Sequence, residues 1–190
     1  MGTCNLMIVG VGGQGTLLAS KILGKVLSEE GYDVKVSEVH GMSQRGGSVV
    51  TYVKFGEKVY SPIIDKGEAD VIISFEQLEA LRYTEYLKPN GKMLISTQKI
   101  DPMPVITGNA EYPENIEKLL EKFNVTFIDA VDLALKAGSP KAANIVLLGA
   151  FSKVSDISAD VWKEHIKKSV PEKFIELNLK AFDLGSSICA

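Results

Sequence analysis

Two short stretches of this chain hold residues that could do chemistry. In the first, Gly10-Val11-Gly12-Gly13-Gln14-Gly15 follows an apolar run and precedes an amphipathic one. Glycines let a backbone turn tightly and approach a ligand closely, and the free N–H groups at a helix start favour an anion such as a pyrophosphate. In a dinucleotide site an acidic residue about 20 positions further on would hold the ribose, and Glu38 occupies such a place. The same glycines could equally serve helix–sheet packing, or the approach of another chain's backbone. The second stretch, Glu38-Val39-His40-Gly41-Met42-Ser43-Gln44-Arg45-Gly46-Gly47-Ser48, gathers polar groups at the carboxyl end of a strand, where open α/β sheets bind ligands or partners. Arg45, followed by two glycines, can present its guanidinium fork to a carboxylate or phosphate; the plainer alternative pairs it with Glu38 in a mobile loop.

Other chemistries find little support. Ser43 and Ser48 lack a nucleophile elbow. His40 has no neighbouring cysteine or second histidine to suggest a metal or a nucleophile pair. His165, in Lys163-Glu164-His165-Ile166-Lys167-Lys168, reads as a solvated surface residue. Cys4 and Cys189 stand at opposite ends, too few for an iron–sulfur cluster, which normally takes about four cysteines.

The elements that position these stretches follow from periodicity. Asn5 to Val9 reads as a strand. Thr16 to Glu30 reads as a helix whose Leu17, Leu18, Ile22, Leu23, Val26 and Leu27 form one buried face, stopped by Gly31, and Asp33 to Ser37 reads as a second strand. Val49 to Phe55, Gly56-Glu57 and Lys58 to Ser61 predict a β-hairpin with a two-residue turn, in place of the next crossover helix. Beyond it come a strand at Asp70 to Phe75, a helix from Glu76 to Leu87, a turn at Pro89-Asn90-Gly91 and a strand at Lys92 to Ser96. Asp101 to Gly108 reads as an irregular connection carrying one short strand, because Pro102 and Pro104 oppose a regular helix. Glu114 to Phe123 reads as helix and Val125 to Ile128 as strand. The remainder is helical, with breaks at Gly138-Ser139-Pro140, Ser158 and Pro171. Ile145 to Phe151 is expected to be a buried helix, with Asn144 and Gly149 marking close contacts. The expected fold class is α/β: a Rossmann-like, doubly wound, mostly parallel sheet with an inserted β-hairpin and a helical C-terminal region, residues 1–190 forming one domain.

Composition sets the outer bounds. The 190 residues carry 21 Lys+Arg against 24 Asp+Glu, a formal charge of −3, which is not the footprint of a nucleic-acid binder. A hydrophobic share of 45% suits a globular protein with a real core. The N-terminus lacks a basic leader region, and no segment reaches the roughly 18 unbroken apolar residues of a membrane span. A cytoplasmic location with reduced thiols is expected.

Taken together, GVGGQG at 10–15, SEVHGMSQRGGSVVTYVKFG at 37–56, ADVIISFEQLEALRY at 69–83 and NIVLLGAF at 144–151 resemble the gamma subunit or gamma domain of 2-oxoacid:ferredoxin oxidoreductases. The loop wording is most similar to the small subunit of the indolepyruvate members. The resemblance implies a non-thiamine-binding subunit of an enzyme that oxidatively decarboxylates a 2-oxo acid, makes acyl-CoA and reduces ferredoxin. Thiamine diphosphate, Mg²⁺ and the iron–sulfur clusters would be held by partner subunits, with coenzyme A as co-substrate on this chain's side. It also implies Gly10, Gly12, Gly13, Gln14 and Gly15, with Ser43, Gln44, Arg45, Gly46 and Gly47, as the binding positions. A free-standing NAD(P)-dependent oxidoreductase and a purely structural assembly module are the alternatives.

Overall fold

A computed structural model describes residues 2–41 and 46–188. Six strands form one sheet: β1 (Cys4–Val11), β2 (Asp33–His40), β3 (Ser48–Gly56), β4 (Ala69–Ser74), β5 (Leu87–Ser96) and β6 (Asn124–Ile128), in the order β2-β3-β1-β4-β5-β6. β1, β4, β5 and β6 run parallel, while β3 is antiparallel to both of its neighbours, β1 and β2.

Alternation along the strands divides the core in two. Leu6 and Ile8 point into the larger layer, with Ile73 and Leu94, beneath α1 (Thr16–Glu29) and the C-terminal helices. Met7 and Val9 point into the smaller one, with Ile72, Met93 and Ile95, beneath α2 (Gln77–Arg82) and α4 (Ile116–Leu120). The chain ends in α5 (Ala130–Ala137), α6 (Ala143–Ser152), α7 (Ala159–Ser169) and α8 (Ile175–Ser186). α6 is apolar around its whole circumference because it is enclosed on every side, as the sequence suggests. A Cβ on Gly149 would lie 2.2 Å from the Phe182 carbonyl oxygen, and one on Gly185 would lie 1.9 Å from that of Val146. α6 and α8 therefore cross with backbone against backbone.

The inserted hairpin is present, built from different residues than expected. Its arms are β2 and β3, joined through the 41–47 segment, and Lys58 to Ser61 form no strand. The reason is geometric: β3 is already paired on both edges, so a third strand has no hydrogen-bonding groups to meet. Val59 instead buries its side chain and donates its N–H to Asp33 Oδ2 at 3.0 Å.

Three smaller corrections follow. Asp101 to Gly108 holds a single helical turn, α3 (Met103–Ile106), and no strand; Pro102 caps it and Pro104 lies in its first turn, where a missing N–H costs nothing. Pro89-Asn90-Gly91 lies inside β5 as a bulge, with Ala69 opposite Leu87 but Val71 opposite Lys92. His165 is buried: Trp162, His165 and Ile166 share one face of α7, and His165 Nε2 meets Glu29 Oε2 at 2.6 Å.

Candidate functional site

The glycine turn sits at the carboxyl end of β1. Gly13 and Gly15 have φ of +105° and +83°, conformations in which any side chain would be strained. Gly15 is also the residue before α1 and supplies no side-chain cap, and the helix has no acidic residue in its first turn. The leading N–H groups and the positive end of the helix dipole thus meet neither a side-chain cap nor a carboxylate of the helix's own first turn.

Gln14 has a different role from its neighbours. Its Oε1 accepts from Val11 N–H at 2.7 Å, and its Nε2 donates to the Phe75 carbonyl and to Gln98 Oε1, both at 2.8 Å. The amide is occupied by the scaffold and ties the turn to the ends of β4 and β5. Gly10 is crowded for the same reason, since a Cβ there would lie 2.9 Å from both Gln14 Oε1 and Phe75 Cβ. Asn144, at the start of α6, donates to the Gly15 carbonyl at 3.3 Å, so the close contact read at this position is present.

Gly46 and Gly47 are brought directly onto the glycine turn. Gly12 N–H donates to the Gly47 carbonyl at 2.9 Å, and Gly46 N–H donates to the Gly12 carbonyl at 3.4 Å. The pairing of Val11 opposite Ser48 and Gly10 opposite Val49 sets this contact. Ser43, Gln44 and Arg45, the remaining candidates of this loop, lie outside the described residues.

Two clefts flank the joined turns. One, of about 660 Å³, is lined by Gly12, Gly13 and Gly15 together with Gln98, Lys141 and Asn144. The other, of about 430 Å³, is lined by the same glycines with Thr16, Glu38 and His40. Lys141 is an exposed cation that the sequence reading did not select. Nothing near Lys141 in the chain marks it, because only the packing of α6 against the turn brings it there.

Behind the joined turns lies a buried acidic network. Glu76 Oε1 accepts from Tyr112 Oη at 2.5 Å and Ile100 N–H at 3.1 Å, and its Oε2 caps α2 through Glu79 N–H at 2.8 Å. Ser48 Oγ donates to Glu79 Oε2 at 2.5 Å, while burial pushes the Glu79 carboxyl above its ordinary pKa. The Ser48–Glu79 bond anchors the start of β3, and the Glu76 bonds tie the start of α2 to Ile100 and Tyr112. Cys4, half-buried in β1 beside Asp70, has its thiol pushed up to about 12 by burial and then by that carboxylate. A thiol held in that form is a weak nucleophile at neutral pH.

Among the described residues, no group of three or more His, Cys, Asp or Glu side chains is placed to hold a metal ion, and no helix is long and apolar enough to cross a membrane. The backbone N–H groups of the glycine turn and Lys141 give this surface the means to bind an anion.

Glu38 does not form the ribose site of a dinucleotide fold. β3 separates its strand from β1, and its carboxylate is engaged by Thr51 Oγ1 at 3.3 Å and His40 Nδ1 at 3.5 Å. A free-standing NAD(P) oxidoreductase is therefore not supported.

Comparison with known proteins agrees. The chain is 48% identical over 188 residues to the indolepyruvate oxidoreductase subunit IorB of Pyrococcus horikoshii, covering 95% of this chain and 93% of that one. Its fold matches the gamma subunit of a keto/oxoacid ferredoxin oxidoreductase from Geobacter sulfurreducens with a TM-score of 0.73, at 25% identity over 98% of both chains. It also matches 31% of a chain in the 2-oxoglutarate:ferredoxin oxidoreductase of Magnetococcus marinus, solved with 2-oxoglutarate, coenzyme A and succinyl-CoA bound. There the TM-score is 0.77 at 21% identity, and all of the present chain is covered. Residues 5–188 match the profile of the pyruvate ferredoxin/flavodoxin oxidoreductases, and the chain belongs to that family.

Proposed function

We propose that this chain is the gamma-type small subunit of a 2-oxoacid:ferredoxin oxidoreductase that converts an aryl pyruvate such as indolepyruvate to its acyl-CoA. Residues 1–190 act as one gamma-type domain in the cytoplasm. The observation that carries the reading is the seating of Gly46 and Gly47 on Gly12, in a chain so similar over its length to an indolepyruvate oxidoreductase subunit. The joined turns form one rim with N–H donors, an uncapped helix start and Lys141, a setting suited to the phosphates of coenzyme A.

The residues present do not fit the enzyme's other groups. Two cysteines, one of them Cys4 with its raised pKa, fall short of a cluster's ligand set, and no described carboxylate group is arranged for Mg²⁺. Thiamine diphosphate, Mg²⁺ and the iron–sulfur clusters accordingly belong to companion subunits, and ferredoxin is reduced there. This chain's residues bind and orient: Gly10, Gly12, Gly13 and Gly15 shape the rim, Gln14 holds it in place, and Ser43, Gln44 and Arg45 are assigned to binding the same ligand.

The test is the complex reconstituted with Arg45→Ala and, separately, Lys141→Ala. A raised KM for coenzyme A with assembly intact is expected for each. Unchanged turnover and unchanged coenzyme A binding in both would instead make these loops subunit contacts.

A further inference from the structure

A groove of about 780 Å³ runs along the outer flank of α1, above the face of the edge strand β2. In a doubly wound sheet a crossover helix after β2 would help to cover this flank; here the chain turns back into β3 instead. Leu17 and Val36 are left 49% and 46% exposed. We infer that this groove is the seat of an amphipathic helix from a companion subunit, with an apolar stripe flanked by carboxylates. The inference rests on the multi-subunit reading above.

Three observations select that occupant. The groove wall is a set of side chains at helical spacing, Leu17, Lys21, Gly24 and Ser28, which forms ridges that another helix can mesh with. Gly24 opens the middle of that wall: a Cβ there would meet only Val36 Cγ2, at 3.8 Å. The charges are also unequal in their engagement. Glu29 is held by His165, and Glu38 by Thr51 and His40, so the acids of the groove have partners. Lys21 and Lys25 are exposed and, among the described residues, neither pairs with a carboxylate; Lys25 reaches only Ser169 Oγ, at 3.4 Å. A second copy using the same flank would set lysine against lysine, whereas a carboxylate-bearing helix satisfies both. The groove shares Leu17 and Glu38 with the cleft beside the glycine turn, so an element seated in it ends next to that rim.

The complex purified with its companion subunit tests this by hydrogen exchange and carbodiimide cross-linking. Slowed exchange in residues 17–29 and 33–39 is expected, with cross-links from Lys21 or Lys25 to Asp or Glu of a companion helix. The double variant Lys21→Glu/Lys25→Glu should bind the companion at least about tenfold more weakly, and reversing the cross-linked acids should recover it. Gly24→Gln, which fills the groove while α1 stays folded, should weaken binding as well. An assembled complex in which these segments exchange as in the free chain would overturn the inference while leaving the subunit reading intact. Cross-links joining two copies of this chain would overturn it in favour of self-association. Failure of any cluster-bearing companion to assemble with the wild-type chain would overturn both.

Discussion

Replacing Gln14 by alanine should loosen the glycine turn and lower the stability of the whole chain. The substitution removes the acceptor of Val11 N–H and the donor to the Phe75 carbonyl, on residues only 6% and 2% exposed, along with the bond to Gln98. Each of the two buried polar groups left without a partner costs about 1–3 kcal/mol, about 2–6 kcal/mol together. Water entering from the adjoining cleft recovers part of this, so a net loss of about 2–4 kcal/mol is expected. With a urea dependence of about 2 kcal/mol/M, the unfolding midpoint should fall by about 1–2 M. Gln14→Glu keeps the acceptor for Val11 but sets a carboxylate oxygen against the Phe75 carbonyl, so it should be at least as damaging. Hydrogen exchange at Val11 should accelerate in both variants. A midpoint shift under about 0.25 M for Gln14→Ala, with Val11 still protected, would show that the amide does not hold the turn.

The helix crossing gives a second prediction: Gly149→Ala should cost about 1–3 kcal/mol or more, read as a lower Tm, because its Cβ meets the Phe182 carbonyl at 2.2 Å. Gly24→Ala is the contrasting case, where a Cβ makes only an ordinary 3.8 Å contact with Val36, and stability should be unchanged or higher by about 1 kcal/mol of helix propensity, read as an equal or raised Tm. The raised Glu79 pKa means that the folded state holds this proton more tightly than the unfolded chain does. Its stabilising contribution is thus complete below 4.5 and declines as pH rises through the folded value. Urea midpoints of wild type should therefore fall relative to Glu79→Gln on going from pH 4 to 7. The Cys4 thiol, pushed up to about 12, should resist alkylation at pH 8 in the folded chain and react in urea, as peptide mass spectrometry would show.

The core of this fold is written in local pattern. The alternation of Leu6, Met7, Ile8 and Val9 and the buried face of α1 suffice for a wound sheet, and the glycine turn follows from its place between them. What local pattern does not carry is which edges are free. Lys58 to Ser61 have the composition of a strand, yet β3 has no edge left for them, a fact fixed by Val11 lying opposite Ser48 in the sequence-distant pairing with β1. His165 departs from its local pattern for a related reason: its neighbours are charged, but its own position on the Trp162–Ile166 face turns it inward. At the site, the glycines announce themselves through their spacing. Gln14 is legible as a site residue, though not as the amide that anchors the turn, and Lys141 is silent, because the glycines whose cleft it lines stand more than a hundred residues away.

The most direct test is 2-oxo-acid-dependent, coenzyme A-dependent reduction of ferredoxin by the cluster-bearing companion, assayed with and without this chain. Turnover that requires both, with neither active alone, is the expected result. Full activity of the companion without this chain, or NAD(H) binding and turnover by this chain in isolation, would contradict it.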